Sequence, residues 1–292
     1  MEQQTTQLTS TSINPDSHIG LVTLRVANLE RSLKFYQGVL GFRVIERTPG
    51  SASLGAEDGP PILELHEVPG APPAPPRSTG LFHAAIVLPS RAALGQALMR
   101  MVAANSQLGQ ADHAVSEGFH IADPDGNGLE IYRDRPRDSW QWQDGTVKMT
   151  VDPVDVRAVL AEGQQAAAAN LLPAGTRIGH VHLKVADLAE AEHFYHDVLG
   201  FDITAQMPGA VFVSAGGYHH NIGLNTWQSR GAAPAPGNTA GLDSFTIALP
   251  NREALEEVQA RLLADGVQIH EQDDNVLVAD PSQNQIRLMI AP

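Results

Sequence analysis

Cysteine is absent from the 292 residues. That excludes disulfides, thiolate nucleophiles, iron–sulfur clusters and Cys-type zinc sites, so any metal must be held by His, Asp or Glu. Basic charge is also scarce. Lys and Arg number 19 against 33 Asp and Glu, a formal net charge of −14. An acidic chain with no basic block grips phosphate backbones poorly, and it lacks the polybasic patch that anionic membranes attract. Neither nucleic acid nor membrane is an expected partner. No run of 18 apolar residues occurs, so no membrane-spanning helix is expected. The polar segment Met1–His18 has no apolar core, unlike a secretory signal. These absences predict a soluble, cytoplasmic protein with a flexible tail over residues 1–18. No G-x-G-x-x-G after a strand and no P-loop is present, so nucleotide chemistry has no support.

What the chain does contain is a repeat. Residues 19–44 (IGLVTLRVANLERSLKFYQGVLGFRV) and 178–203 (IGHVHLKVADLAEAEHFYHDVLGFDI) are identical at 13 of 26 positions. GLFHAAIVLPSRAAL at 80–94 matches GLDSFTIALPNREAL at 241–255, and DPDGNGLEIY at 123–132 matches DPSQNQIRLM at 280–289. The spacing is kept, so one unit has been duplicated.

Each half divides again. IGLVTLRV alternates as a strand. A helix follows with Leu29, Leu33, Tyr36 and Leu40 on one face, and Gly41 is placed to end it. Three short strands come next, then a Pro- and Gly-rich loop at 69–80, after which the pattern restarts. The chain reads as an α+β protein of four βαβββ modules, at 19–68, 80–134, 178–228 and 241–291. The N-terminal domain spans 19–134 and the C-terminal domain 177–292, with a partly helical connector at 135–176. DPDGN lacks the full ligand pattern of an EF-hand and reads as a tight turn.

The duplicated modules, the helix signature FYxxVLGF and the closing DPDGNGLEIY resemble the vicinal oxygen chelate superfamily. Glyoxalase I, bleomycin resistance proteins and extradiol dioxygenases belong to it. Within it the chain is most similar to bacterial catechol 2,3-dioxygenase-like proteins with four modules. The resemblance implies curled mixed β-sheets forming metal-binding clefts, with ligands from the first and last strands of a module. Those positions hold Leu21 and Glu64 in module one, His83 and Glu130 in module two, His180 and Gly223 in module three, and Ser244 and Arg287 in module four. Strand alternation puts His180 and His182 on one face, sets His83 opposite Phe82, and sets Glu130 and Tyr132 opposite Leu129.

Pairing module one with two and three with four leaves neither cleft complete. Pairing two with three collects His83, Glu130 and His180, two imidazoles and a carboxylate that suit Fe(II) and leave open positions; Mn(II) suits the same ligands almost as well. The cleft of modules one and four would be metal-free, with Arg287 neutralising Glu64 or another acid there. If so, neither half is active alone. The HH segment at His219–His220 resembles that of extradiol dioxygenases, which implies an acid–base role for His220. His113 and His120 match positions where that family carries a His and then a Tyr, so His120 departs from its pattern. His182, His219 and Asn225 are candidate substrate contacts. The implied activity is extradiol cleavage of a small aromatic diol by O2. A glyoxalase-like isomerase or lyase and a non-catalytic binding protein are the alternatives. Gly223, where the isomerases place a fourth ligand, favours three. Edges of such sheets often pair between chains, so a homo-oligomer is one expected form.

Overall fold

The computed structural model describes residues 12–272 and 275–291. Module one comprises β1 (His18–Val26), α1 (Leu29–Phe35), β2 (Arg43–Arg47), β3 (Ser51–Gly55) and β4 (Leu63–Glu67). Module two comprises β5 (Gly80–Val87), α2 (Arg91–Ala103), β6 (Gly109–Asp112), β7 (Ser116–Ala122) and β8 (Gly128–Asp134). The connector carries a small hairpin, β9 (Trp142–Gln143) and β10 (Thr146–Val147), then α3 (Val156–Gln165). Module three comprises β11 (Arg177–Lys184), α4 (Leu188–Glu192), β12 (Asp202–Met207), β13 (Ala210–Ser214) and β14 (Ile222–Asn225). Module four comprises β15 (Gly241–Leu249), α5 (Arg252–Ala264), β16 (Ile269–Gln272), β17 (Asn275–Ala279) and β18 (Gln285–Ile290). Among the described residues no helix is long and apolar enough to cross a membrane.

Each module helix begins where the sequence supplies a capping side chain. Asn28, Ser90, Asp187 and Asn251 each accept a hydrogen bond from a backbone N–H of the first turn, satisfying donors the helix leaves free. The FYxxVLGF segments are not regular helix to their ends. The chain widens into a π-type turn over Tyr36–Leu40, and again over His193–Val198. The two tyrosines of these turns, Tyr36 and Tyr195, donate to Asp123 and Asp280, each at 3.0 Å. Those carboxylates sit in the DPDGN and DPSQN turns, and each also accepts from the Asn four residues on. The motifs that betray the repeat are thus one interaction, which ties the helix of one module to the last turn of the next. Gly41, at φ +89°, closes the first of these helices, a left-handed residue that glycine adopts without steric cost.

Within each module the first and last strands run parallel side by side: β1 with β4, β5 with β8, β11 with β14, β15 with β18. First strands then join modules antiparallel, β1 to β15 and β5 to β11. Two eight-stranded sheets result, ordered β16-β17-β18-β15-β1-β4-β3-β2 and β12-β13-β14-β11-β5-β8-β7-β6. Modules two and three therefore share one curled sheet and modules one and four the other, the pairing that donor chemistry predicts. The apolar strand faces, including Leu24, Ile86, Val181, Leu183 and Phe245, belong to one continuous core that spans both sheets.

Two expectations change at the edges of the fold. Ile13 is buried, its N–H donates to the Gly200 carbonyl at 2.7 Å, and His18 opens β1. An apolar side chain with a pocket to fill is held there, so the predicted flexible tail does not extend to residue 18. Residues 1–11 of that tail lie outside the described residues. The connector is also more than a tether. Its helix α3 lies against α2 so closely that a Cβ on Gly163 would meet the Gly95 carbonyl carbon at 2.5 Å. Gly163→Val is expected to force these helices apart at a cost of about 1–3 kcal/mol, read as a lower urea midpoint at constant m-value. An unchanged midpoint would show that the close approach contributes nothing.

Candidate functional site

The centre of the second sheet carries the chemistry. His83 on β5, Glu130 on β8 and His180 on β11 are all buried and form a cluster that could hold a metal ion, found once among the described residues. The Nε2 atoms of His83 and His180 are 3.2 Å apart. Glu130 Oε2 lies 3.0 Å from His180 Nε2 and 3.3 Å from His83 Nε2. Donors about 2.1 Å from one ion and at right angles to one another would be roughly 3.0 Å apart, so the side chains present fit a metal. Glu130 Oε1 is buried without a hydrogen-bond partner among the described residues. A Cβ at Gly118 on β7 would meet that oxygen at 2.7 Å; the absent side chain is what admits the carboxylate.

Two irregularities aim the donors. The pairing of β11 with β5 slips between Ile178 and His180 and again between His182 and Leu183, with Phe82 the extra residue on β5 at the second slip. A bulge puts two residues opposite one and interrupts alternation. Hence Phe82, expected opposite His83, lines the same cavity as His83, and its ring lies 5.0 Å from that of His182. The place a side chain at 223 would take is also filled. A Cβ there would meet the His182 ring at 2.9 Å, so no fourth donor comes from that strand.

The cluster is electrostatically coupled. Burial alone would push Glu130 up, but the imidazoles of His180, His83 and His120 outweigh it and hold the carboxyl well below the usual range. Burial drives His83 and His220 well below the ordinary imidazole value, and takes His182 down to about 3. A proton inventory follows from the partners. Tyr218 donates to Asp134 at 2.9 Å and lies 2.7 Å from the Tyr132 hydroxyl, which is 3.3 Å from His180 Nδ1. Burial raises both phenols well above 10, so both keep their protons. Tyr132 then donates to Tyr218 and can accept from His180 Nδ1–H when a metal replaces the proton at Nε2, the tautomer that ligation needs. On the other side Asp134 accepts from His219 Nε2 at 2.9 Å. His219 Nδ1 is 2.8 Å from His220 Nδ1, so it accepts from His220 and leaves Nε2 of His220 unprotonated.

These shifts predict an acid-sensitive fold. In chelated, metal-free protein His83, His182 and His220 stay neutral below about pH 6.5 while the unfolded chain takes up protons,. Stability therefore falls with pH from about 6.5, by up to about 1.4 kcal/mol per pH unit for each such histidine. The added stability from Glu130 has the opposite position on the scale. It is present above about pH 4.5 and is lost only as pH falls through the lower folded value. Urea midpoints between pH 7.5 and 5 should drop; a flat profile would refute the neutral cluster.

A cavity of about 580 Å³ opens over the donors, and His113, His120, His182 and His220 line it. His120 pairs across from Glu130 in the β7–β8 register, with Nε2 3.9 Å from Glu130 Oε2. His113 Nδ1 donates to the Thr150 carbonyl at 2.7 Å. Two candidate substrate contacts lie elsewhere. His219 is fully buried behind His220, packed against Tyr218 and Trp140, with both ring nitrogens engaged. Asn225 is fully buried and absent from the lining, and its side-chain oxygen accepts from the Trp227 N–H at 3.2 Å. It fixes the turn that carries Trp227. The sequence reading also missed Asp134 and Tyr218, which lack any local motif, and Met149 and Val151, which the connector lends to the cavity wall. In the opposite sheet Glu64 meets His66 at 3.3 Å, His66 meets Asp243, and Arg25 pairs with Asp243. Arg287, expected to neutralise an acid there, is not the partner of Glu64; β4 places His66 nearer.

The profile of the Glyoxalase/Bleomycin resistance protein/Dioxygenase superfamily matches residues 18–131 and 177–288. A catechol-2,3-dioxygenase of Bacillus subtilis (strain 168) is 48% identical over 275 residues, covering 93% of this chain and 96% of that one. Among solved structures, a Bacillus subtilis protein provisionally described as a dioxygenase superposes with TM-score 0.68 at 16% identity, over 97% of this chain and 87% of that chain. Glyoxalase I from Zea mays gives 0.57 at 15% identity, over 94% and 92%. The last two likenesses concern the fold.

Proposed function

The chain belongs to the Glyoxalase/Bleomycin resistance protein/Dioxygenase superfamily, and from that premise we propose that it is an Fe(II)-dependent extradiol dioxygenase, cleaving a catechol-type ring with O2. The observation that carries this reading is the convergence of His83, His180 and Glu130 beneath a cavity lined by further imidazoles. Those three residues would hold the metal. When bound, it supplies a meeting point for the diol and dioxygen and a path for electrons between them. Mn(II) suits the same donors.

The remaining work falls to the protein. His220 Nε2, unprotonated by the inventory above, accepts a proton from the diol and returns it as the ring opens. His120 and His113 hydrogen-bond to the reacting oxygens from the opposite wall. His180 is held in its ligating tautomer by Tyr132, and the aromatic and thioether walls keep bulk water from the reacting atoms. Metal analysis of anaerobically purified protein, with oxygen uptake on adding catechol, tests the reading. Stoichiometric iron and a yellow ring-fission product are expected. Wild-type protein that binds no metal would overturn it.

A further inference from the structure

The cavity is far larger than an unsubstituted catechol fills; about 580 Å³ is the size of a drug-like ligand site,. Besides the imidazoles and Glu130, its polar lining side chains are the neutral Gln107 and Gln110. Adjoining His83 and His182, one wall is aromatic and thioether surface. Phe82, Phe212 and Trp227 surround His182 with ring centroids 5.0–5.6 Å away, and Met149 and Met207 complete it. The Trp227 indole is 48% exposed, an apolar flank that a bound molecule would cover.

Among the described residues that line the cavity there is no Lys or Arg, and its single carboxylate is Glu130. Arg77 and Arg230 lie in a separate groove that Trp227 also borders, and both are exposed to water. A carboxylate carried into the cavity would lose its hydration and meet no Lys or Arg side chain,. An alkyl or aryl arm would instead remove its own surface and that of Trp227 from water.

Resting on the dioxygenase reading, we propose that the substrate is a catechol bearing an uncharged apolar arm, alkyl or aryl, packed against Phe82, Phe212 and Trp227, and that ring carboxylates are rejected. The test compares catechol, 4-propylcatechol, 3-phenylcatechol and 3,4-dihydroxybenzoate with the iron-loaded enzyme. Oxygen uptake gives kcat/KM, and anaerobic calorimetry gives binding without turnover. The apolar catechols should exceed catechol by about 10-fold and the carboxylate by about 100-fold or more. Comparable values for the carboxylated and apolar compounds would overturn the proposal. Catechol consumption reports separately on the dioxygenase reading. Should none of the four diols be consumed, that reading fails, while calorimetry still decides whether the cavity prefers apolar arms. Trp227→Lys places a cation at the mouth and should shift the carboxylate-to-phenyl ratio by about 10-fold towards the carboxylate. An unchanged ratio would show that this wall does not hold the arm.

Discussion

Glu130→Gln should leave the protein folded, strip it of metal and abolish turnover. Glu130 is the one anion in a nearly dry cluster with His83 and His180, and the amide keeps its shape while removing its charge. Without that charge two neutral imidazoles remain, and the NH2 group offers hydrogens where a metal needs a lone pair. Groups that merely orient ligands are worth about 10–100-fold in metal affinity, so loss of a ligand should cost about 100-fold or more, with turnover falling in proportion. The fold-check is thermal. Added Fe(II) or Mn(II) should raise the melting temperature of wild type by binding only the native state, and should not move that of the variant. Full metal content in the variant, by elemental analysis, would remove Glu130 from the site.

His220→Asn is expected to separate chemistry from metal binding. His220 packs on the ligand His180 with ring centroids 4.1 Å apart, yet it contributes no atom to the three-donor cluster. Its Nδ1 is committed to His219, whose far nitrogen is committed to Asp134. That chain leaves a single free nitrogen, the geometry of a positioned base. Removing such a base costs about 10²–10⁴-fold in turnover, while iron content should stay near wild type. Unimpaired turnover would assign proton transfer to another group, with His120 and His113 the next to test. Loss of iron together with activity would make His220 a support for His180 rather than an acid–base group.

How far the sequence carries the argument depends on the kind of information involved. The modules, the helix end at Gly41 and the sheet pairing follow from periodicity, repetition and the placement of donors at His83, Glu130 and His180, because these signals are local or recur at a fixed offset. Phe82 was assigned to the wrong face because a bulge shifts register without any mark in composition. His219 is a candidate substrate contact by sequence, but both its ring nitrogens are engaged, one of them by Asp134, 85 residues away. Met149 and Val151 were passed over as linker because only the folded connector brings them to the cavity. Side-chain chemistry was legible, whereas the direction each group faces was set by contacts between distant segments.

The exchange of modules between the two sheets also sets a timetable for synthesis. β1 pairs with β15, and their register joins His18 to Ala248. At about 5–20 residues per second, the partner of β1 leaves the ribosome roughly 10–50 s after β1 does. Until β11 and then β15 follow, the first two modules present β5 and β1 as unpaired, largely apolar strand edges, the kind that template intermolecular pairing,. The nascent chain therefore depends on being shielded until its second half arrives, and translation that stops near the connector should yield aggregates rather than a smaller working enzyme.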